Sequence, residues 1–310
     1  MKKYPLRFRP QVRPALWGRE LWLVSGVADQ PSVVANGAYA GQTLPQLVSA
    51  FGRELTGVAG DRFPLLVKII EAEDRLSLQV HPNTATAAQS GGDPKTEMWY
   101  VLAGRPDAFV YAGLKRGVDR ARLADALRDG SAERLLERIP ARCGETVFIP
   151  GGLVHAIGEG CRLYEVQQTS DTTWRLYDWN RVDAKTGQPR HLHVREGLDA
   201  IDWDASALLS SPGIGTRVAC AHFRFSRFEL AASQAFPPGK SFRIVFSAEG
   251  SGTVIVDGAA PERLAPDTCL LLPSGMGFHV SPDGAVTLLI AEIPCEGGEP
   301  SEDSGGDGVG

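Results

Sequence analysis

GETVFIPGGLVHAIGEG, Gly144 to Gly160, is the stretch on which the fold turns. A strand-type run, ETVFIP, stops at Pro150, two glycines follow, and a histidine comes just after them. The order is Gly144, five residues, Pro150, one residue, Gly152, two residues, His155. Upstream, SLQVHPNTATAAQSGGDPKTEMWYVLAG (Ser77 to Gly104) holds a second polar set among apolar residues. There Leu76, Leu78 and Val80 alternate with Ser77, Gln79 and His81. A strand has period two, so the polar three share one face. Buried without partners, each would cost on the order of a few kcal/mol. Something polar, charged or metallic must stand in front of that face.

The rest of the chain narrows the setting. Its 310 residues are 43% hydrophobic, enough for a sizeable core and more than one domain. A net charge of -5 and a pI near 5.7 argue against nucleic acid or an anionic membrane as partner. A local basic cluster still permits an anionic small substrate. Cys143, Cys161, Cys220, Cys269 and Cys295 are scattered, odd in number and without CxxC spacing, as expected of reduced thiols in a cytoplasmic protein. The start, MKKYPLRFRPQVRPALWG, is basic but has no apolar signal-peptide core, and no run is long enough to span a membrane.

Short strands dominate: FPLLVKIIEA, RLSLQV, EMWYVLAG, AFVYAGL, ETVFIP, RLYEVQQTS, WRLYDW and HLHV. One helical interlude, about 115–140, interrupts them. Leu123 and Leu127 stand at i,i+4, Gly130 ends the first helix, Ser131 offers an N-cap for a second, and Pro140 closes it. After SALLSSPGIGTR the strands resume, in ACAHFRFSRFEL, SFRIVFSAEGSGTVIVDG, TCLLLPS and AVTLLIAEIP. We place a boundary near residue 210, giving domains 1–210 and 211–295. The Gly-rich acidic stretch 296–310 is expected to be disordered.

Many short strands joined by Gly/Pro turns indicate a sandwich or barrel. The Gly144–His155 spacing resembles the second half-motif of the cupin jelly roll. Glu97 followed by Gly104 resembles the end of the first, whose HxH is represented by Gln79-Val80-His81. The chain departs from the generic motif in having Gln79 for the first His and residues 82–96 before Glu97. The cupin resemblance implies a mainly β, two-barrel fold, with Gln79, His81, Glu97 and His155 around one point. Two imidazoles and a carboxylate match the His2Glu set of catalytic zinc sites, and an amide oxygen would add a harder ligand. Iron and manganese accept the same atoms. A lone strand histidine is by default a hydrogen-bonded core residue; two half-motifs together reverse that default.

The departures are those of the type I phosphomannose isomerases, and the chain resembles their short bacterial form. LWGRELW, LLVKIIEAEDRLSLQVHP, KTEMWYVL, GETVFIPGGLVHAIG, EVQQTSDTTWRLYDWNR and HLHV carry the resemblance, over roughly residues 16 to 194. It implies a metal set of Gln79, His81, Glu97 and His155 holding one Zn2+ per chain. It also implies an active-site arginine at Arg175, phosphate contacts from Ser77, Lys95 and Arg181, and cavity positions for Lys68, Glu165 and Asp171. Lys68 alternates with Val67 and Ile69, which by itself turns it toward the barrel interior. The substrate implied is a phosphorylated hexose, in a monomer or homodimer. The reaction implied moves a proton between C1 and C2 of mannose 6-phosphate through a cis-enediol. A cupin dioxygenase and a non-catalytic sugar sensor are the rival readings; Gln79 and the nearby cations count against the first, and retention of Arg175 and every ligand against the second.

Two further patterns are weaker. His191 and His193 alternate in HLHV as an HxH pair would, but no glutamate follows at matching distance. DTCLLLPSGMGFHV echoes the second half-motif with Asp267 in place of Gly and His279 one position late. Its upstream partner, SGTVIVDG, has no His or Glu pair, so a cupin without metal is expected there.

Overall fold

The computed structural model describes residues 1–183 and 186–294; the tail 296–310 lies outside the described residues. The fold is mainly β, and its strands fall into three sheets. A seven-stranded sheet runs Leu208–Ser210, Thr146–Ile149, Glu97–Gly104, Cys161–Gln168, Leu65–Ala72, Gly18–Val24 and Gln11–Ala15. A five-stranded sheet runs Trp174–Tyr177, Leu78–Val80, His155–Ile157, Phe109–Leu114 and Leu136–Pro140. The third, eight-stranded sheet holds the strands from Gly215 to Glu292 together with Leu6–Arg7. Sheet membership therefore changes between Ser210 and Gly215.

Alternation along LLVKIIEA explains how the sheets stack. Val67 and Ile69 belong to a core shared with Phe225, Ile244, Phe246 and Leu289 of the eight-stranded sheet. Ile70, on the opposite face, packs with Val101, Val110 and Ile157, bridging the seven- and five-stranded sheets. A strand buried on both faces reads as a near-continuous apolar run. Lys68 is the exception in that run, and it shares the face of Ile70, toward the five-stranded sheet. Among the described residues, Leu230, Val245, Leu270, Phe278, Val280 and Leu288 form part of the apolar core of the C-terminal strands.

Two expected elements are corrected. The second helix of the 115–140 insertion is a 3-10 turn, Ala132–Leu135, followed by a strand, Leu136–Pro140, and Ser131 gives no side-chain cap. LERIP pairs with Phe109–Leu114 at the sheet edge, with Val110 opposite Ile139 and Tyr111 opposite Arg138. Charged residues and a proline are what an edge strand tolerates, which the two leucines at 135 and 136 obscured. The first helix, Arg120–Asp129, is present, capped by Asp119 and ended by Gly130 at φ 78°. HLHV is not a strand: Val194 opens a helix to Ala200. Gly197 lets that helix lie on strand Trp174–Tyr177, since a Cβ there would stand 2.5 Å from Leu176 Cδ2. Alternating histidines masked the helical burial of Gly197, Leu198 and Ala200.

The sequence reading also missed Gln11–Ala15, Gly18–Val24 and the helix Leu44–Phe51. The helix carries a local signal: Thr43 and Gln46 form a reciprocal capping box with Pro45 in the first turn.

Candidate active site

The polar face of SLQVHP meets Glu97 across the space between two sheets. Gln79 and His155 are paired neighbours in the five-stranded sheet. His81 follows the same strand, and Glu97 opens the facing strand of the seven-stranded sheet. His81 Nε2 lies 3.3 Å from Glu97 Oε2, and His155 Nε2 lies 3.3 Å from Glu97 Oε1. The Gln79 amide lies 3.2 Å from His155 Nε2. All three residues of the His–Glu–His group are about 1% exposed or less. Among the described residues this is the only group of three such side chains suited to a metal.

The chemistry of the donors fits a divalent cation. His81 Nδ1 is 2.8 Å from the Thr172 carbonyl, and His155 Nδ1 is 2.8 Å from the Leu153 carbonyl. Each Nδ1–H donates outward, which leaves both Nε2 lone pairs aimed at the carboxylate, the arrangement of metal-bound histidines. Burial and the Lys95 ammonium push His81 down to about 3, and burial lowers His155, so both rings are neutral. Glu97 is held well below the usual carboxylate range by Lys95 and the two histidines, against its burial. The lone pairs already attract a cation: Lys95 Nζ stands 2.8 Å from Glu97 Oε2 and 3.0 Å from His81 Nε2. Lys95, expected among the phosphate contacts, thus sits at the ligand cluster.

Gln79 and Glu97 open onto a cavity of about 410 Å³ whose other walls include Ser77, Lys68, Lys95, Glu165, Asp171 and Arg175. Three of its lining residues, Trp22, Lys68 and Glu165, belong to one cross-strand row. Trp22, Lys68, Glu165 and Trp99 are successive partners across four strands. Lys68 Nζ lies 3.2 Å from Glu165 Oε1 and 3.3 Å from Glu20 Oε1, while Trp99 Nε1 donates to Glu165 Oε2 at 3.0 Å. Burial lowers the Lys68 pKa, but Glu165, Glu20 and Glu97 outweigh it and hold the ammonium charged. Burial and the Glu97 carboxylate push Glu165 up to about 7, against the pull of Lys68. A carboxyl group poised there moves protons readily at neutral pH.

Arg175 is paired with Gln79 in the backbone register, and its side chain lines the cavity. Its Nη1 donates to the His191 carbonyl at 2.9 Å, while Nε is buried without a partner. Burial and the neighbouring Arg190 lower its pKa. Asp171 stands exposed at the cavity wall. Arg181 does not line the cavity. It is tied to Asp74, to Asp178 and to the Arg75 carbonyl.

The sequence reading did not single out Glu20, Gln167 or Arg190, all of which line the cavity. Glu20 had a signal: in GRELWLV, Glu20 and Trp22 alternate with Leu21 and Leu23, and Trp22 Nε1 donates to Glu20. Arg190 lies on a loop and had none.

Comparison with known proteins agrees with this geometry. Residues 10–103 match the family model for phosphomannose isomerase type I, catalytic domain. The mannose-6-phosphate isomerase ManA of Bacillus subtilis is 32% identical, over 89% of this chain and 95% of its own length. The mannose-6-phosphate isomerase of Streptococcus mutans is also 32% identical, over 87% and 92%. The crystal structure of the B. subtilis mannose 6-phosphate isomerase superposes with a TM-score of 0.82 at 28% identity, covering 93% of this chain and 99% of that one. The chain belongs to the type I phosphomannose isomerase family.

Proposed function

We propose that the protein interconverts mannose 6-phosphate and fructose 6-phosphate, using one zinc ion held by Gln79, His81, Glu97 and His155. The carrying observation is that the buried His–Glu–His cluster shares a cavity with a proton-exchanging carboxyl, Glu165, and a half-buried guanidinium, Arg175. The activity for which the relatives are named fits this, and neither a dioxygenase nor a sugar sensor requires that combination. Bound there, zinc would act as a Lewis acid toward the sugar's C1 and C2 oxygens.

The chain's own groups supply the rest. Glu165, fixed by Trp99, carries the proton between C1 and C2. Lys68 stays charged beside it and offers a proton to a sugar oxygen. Asp171 and Lys95 complete the polar wall, one at the cavity edge and one beside the ligands. A coupled assay of mannose 6-phosphate conversion is the direct test: turnover is expected, lost with chelator and restored with zinc. Turnover that survives complete metal removal refutes the metal assignment.

Arg175 stabilises the negative charge that develops on the enediolate oxygens. Arg175→Ala should then lower kcat by about 10²–10³ with a modest change in KM, as for loss of one preorganised donor. Arg175→Lys should recover little, because the fork is lost. A raised KM with kcat intact would instead make Arg175 a substrate-binding group.

We further assign residues 211–295 to a second cupin; among the described residues no His, Cys, Asp or Glu group suited to a metal falls in it. The scattered free thiols of Cys143, Cys161, Cys220 and Cys269 support a cytoplasmic setting. No helix among the described residues is long and apolar enough to cross a membrane.

A further inference from the structure

Three arginines cluster where the strand Trp174–Tyr177 ends, and a single buried carboxylate sorts them. Asp178 is 5% exposed. It accepts two bonds from Arg190, Nε to Oδ2 at 2.7 Å and Nη2 to Oδ1 at 2.5 Å, and one from Arg181 Nη2 at 2.6 Å. Arg181 has a second carboxylate, Asp74, and a carbonyl, Arg75, on its Nη1, and it lies off the cavity. Arg190 lines the cavity, and Asp178 is the only carboxylate bonded to it among the described residues. Its Nη1 and one Nη2 hydrogen remain for a ligand. Arg175, in the same cavity, has no carboxylate partner among the described residues.

The turn that produces this sorting is unusual. Trp179 and Asn180 both adopt left-handed φ, 57° and 56°. For a bulky tryptophan that conformation is an outlier, of the kind that concentrates at ligand sites. It is held by the Trp179 Nε1 bond to the Leu76 carbonyl at 2.6 Å and by Arg75 stacked over the indole. The chain reverses there and carries Arg181 back toward Asp74.

Register fixes the position of the pair along the cavity. Arg175 stands opposite Gln79, and Tyr177 opposite Leu78, so Asp178 comes level with Ser77. Ser77 is buried and lines the cavity. Ser77 Oγ leans back to Gln79 Oε1, 3.4 Å away, so its hydroxyl belongs to the metal side of the cavity.

We propose that Arg190, aimed by Asp178, binds the substrate phosphate in this cavity, and that Arg181 is a strut outside it. The proposal rests on the phosphosugar reading above and refines it. Asp178 is a positioning residue; Arg190 is the contact.

Steady-state kinetics with mannose 6-phosphate, and with inorganic phosphate as competitive inhibitor, test it after metal content and melting temperature are checked. Arg190→Ala should raise both KM and the inhibition constant for phosphate by roughly ten- to a hundred-fold, the scale of one charge-assisted bond pair, with kcat within a few-fold. Arg190→Lys should recover part of the affinity, since charge returns without the fork. Asp178→Asn should move KM in the same direction by a smaller factor and leave kcat in place. Should Arg190→Ala lose its fold, Arg190→Gln is read in the same way. Wild-type phosphate inhibition in the Arg190 variant, or a larger rise in Arg181→Ala than in Arg190→Ala, overturns the assignment while leaving the isomerase intact. A wild-type enzyme that ignores phosphate and turns over mannose as well as mannose 6-phosphate defeats the phosphosugar reading itself.

Discussion

His81→Ala should leave the protein folded, without bound metal, and slower by about a thousand-fold or more. Removing an outer partner of a ligand typically costs 10–100-fold in metal affinity or activity. Removing a ligand takes away a bond to the ion itself, so the loss should exceed that range. The geometry makes the effect specific. His81 and His155 approach opposite oxygens of Glu97, so each variant leaves one oxygen of a fully buried carboxylate without its imidazole. His155→Ala should therefore behave alike. Lys95 then becomes the main counter-charge to Glu97, which keeps the carboxylate paired and the fold intact. Elemental analysis should give about one zinc per wild-type chain and almost none in either variant. A second readout does not depend on turnover: zinc at about 100 times its dissociation constant should stabilise the wild type by about 2.7 kcal/mol and the variants hardly at all. One zinc per chain retained in His81→Ala, or full activity in zinc-free wild type, would sink the assignment.

How much of this site could be read in advance follows from how local each feature is. Gln79 and His81 were legible because period two along six residues puts them on one face. Lys68 was legible for the same reason, as a charge among Val67, Ile69 and Ile70. The approach of Glu97 and His155 came from motif spacing, since nothing local says which strands face each other. The Glu20–Lys68–Glu165 triad was not legible as a unit. It exists because the strands Gly18–Val24 and Cys161–Gln168 both pair with Leu65–Ala72, a choice made by long-range packing. Lys95 lies two residues before Glu97, which puts both on one side of a strand, but spacing does not say that its ammonium reaches the ligand atoms. The Arg181–Arg190 distinction depends on two consecutive left-handed residues, Trp179 and Asn180; Asn tolerates that conformation but a tryptophan does not, so the turn was only half announced.

Glu165→Gln should lower kcat by about 10²–10⁴, the usual worth of a positioned general base, and should also change the shape of the pH profile. Burial and Glu97 raise Glu165 to about 7, so it must lose its proton before it can accept one from C1 or C2. Zinc on Glu97 would offset that carboxylate's share of the rise, so activity limited by this step falls as pH drops through the Glu165 pKa, at or below 7, and levels off above it. The substrate phosphate titrates near pH 6 and adds its own acid limb, but that limb belongs to the sugar and survives the substitution. What Glu165→Gln should remove is the limb that belongs to Glu165. Neighbours give the sign a second check. Lys68 pulls the Glu165 pKa down, so Lys68→Met should move the limb upward in pH. Trp99→Phe deletes the donor to Glu165 Oε2, which favours the charged form, and should move the limb the same way. Metal content should stay at the wild-type level in all three variants, because none is a ligand. A Glu165→Gln enzyme with near-normal kcat and an unchanged pH profile would assign the proton transfer to another group on the cavity wall, with Asp171 the first to examine.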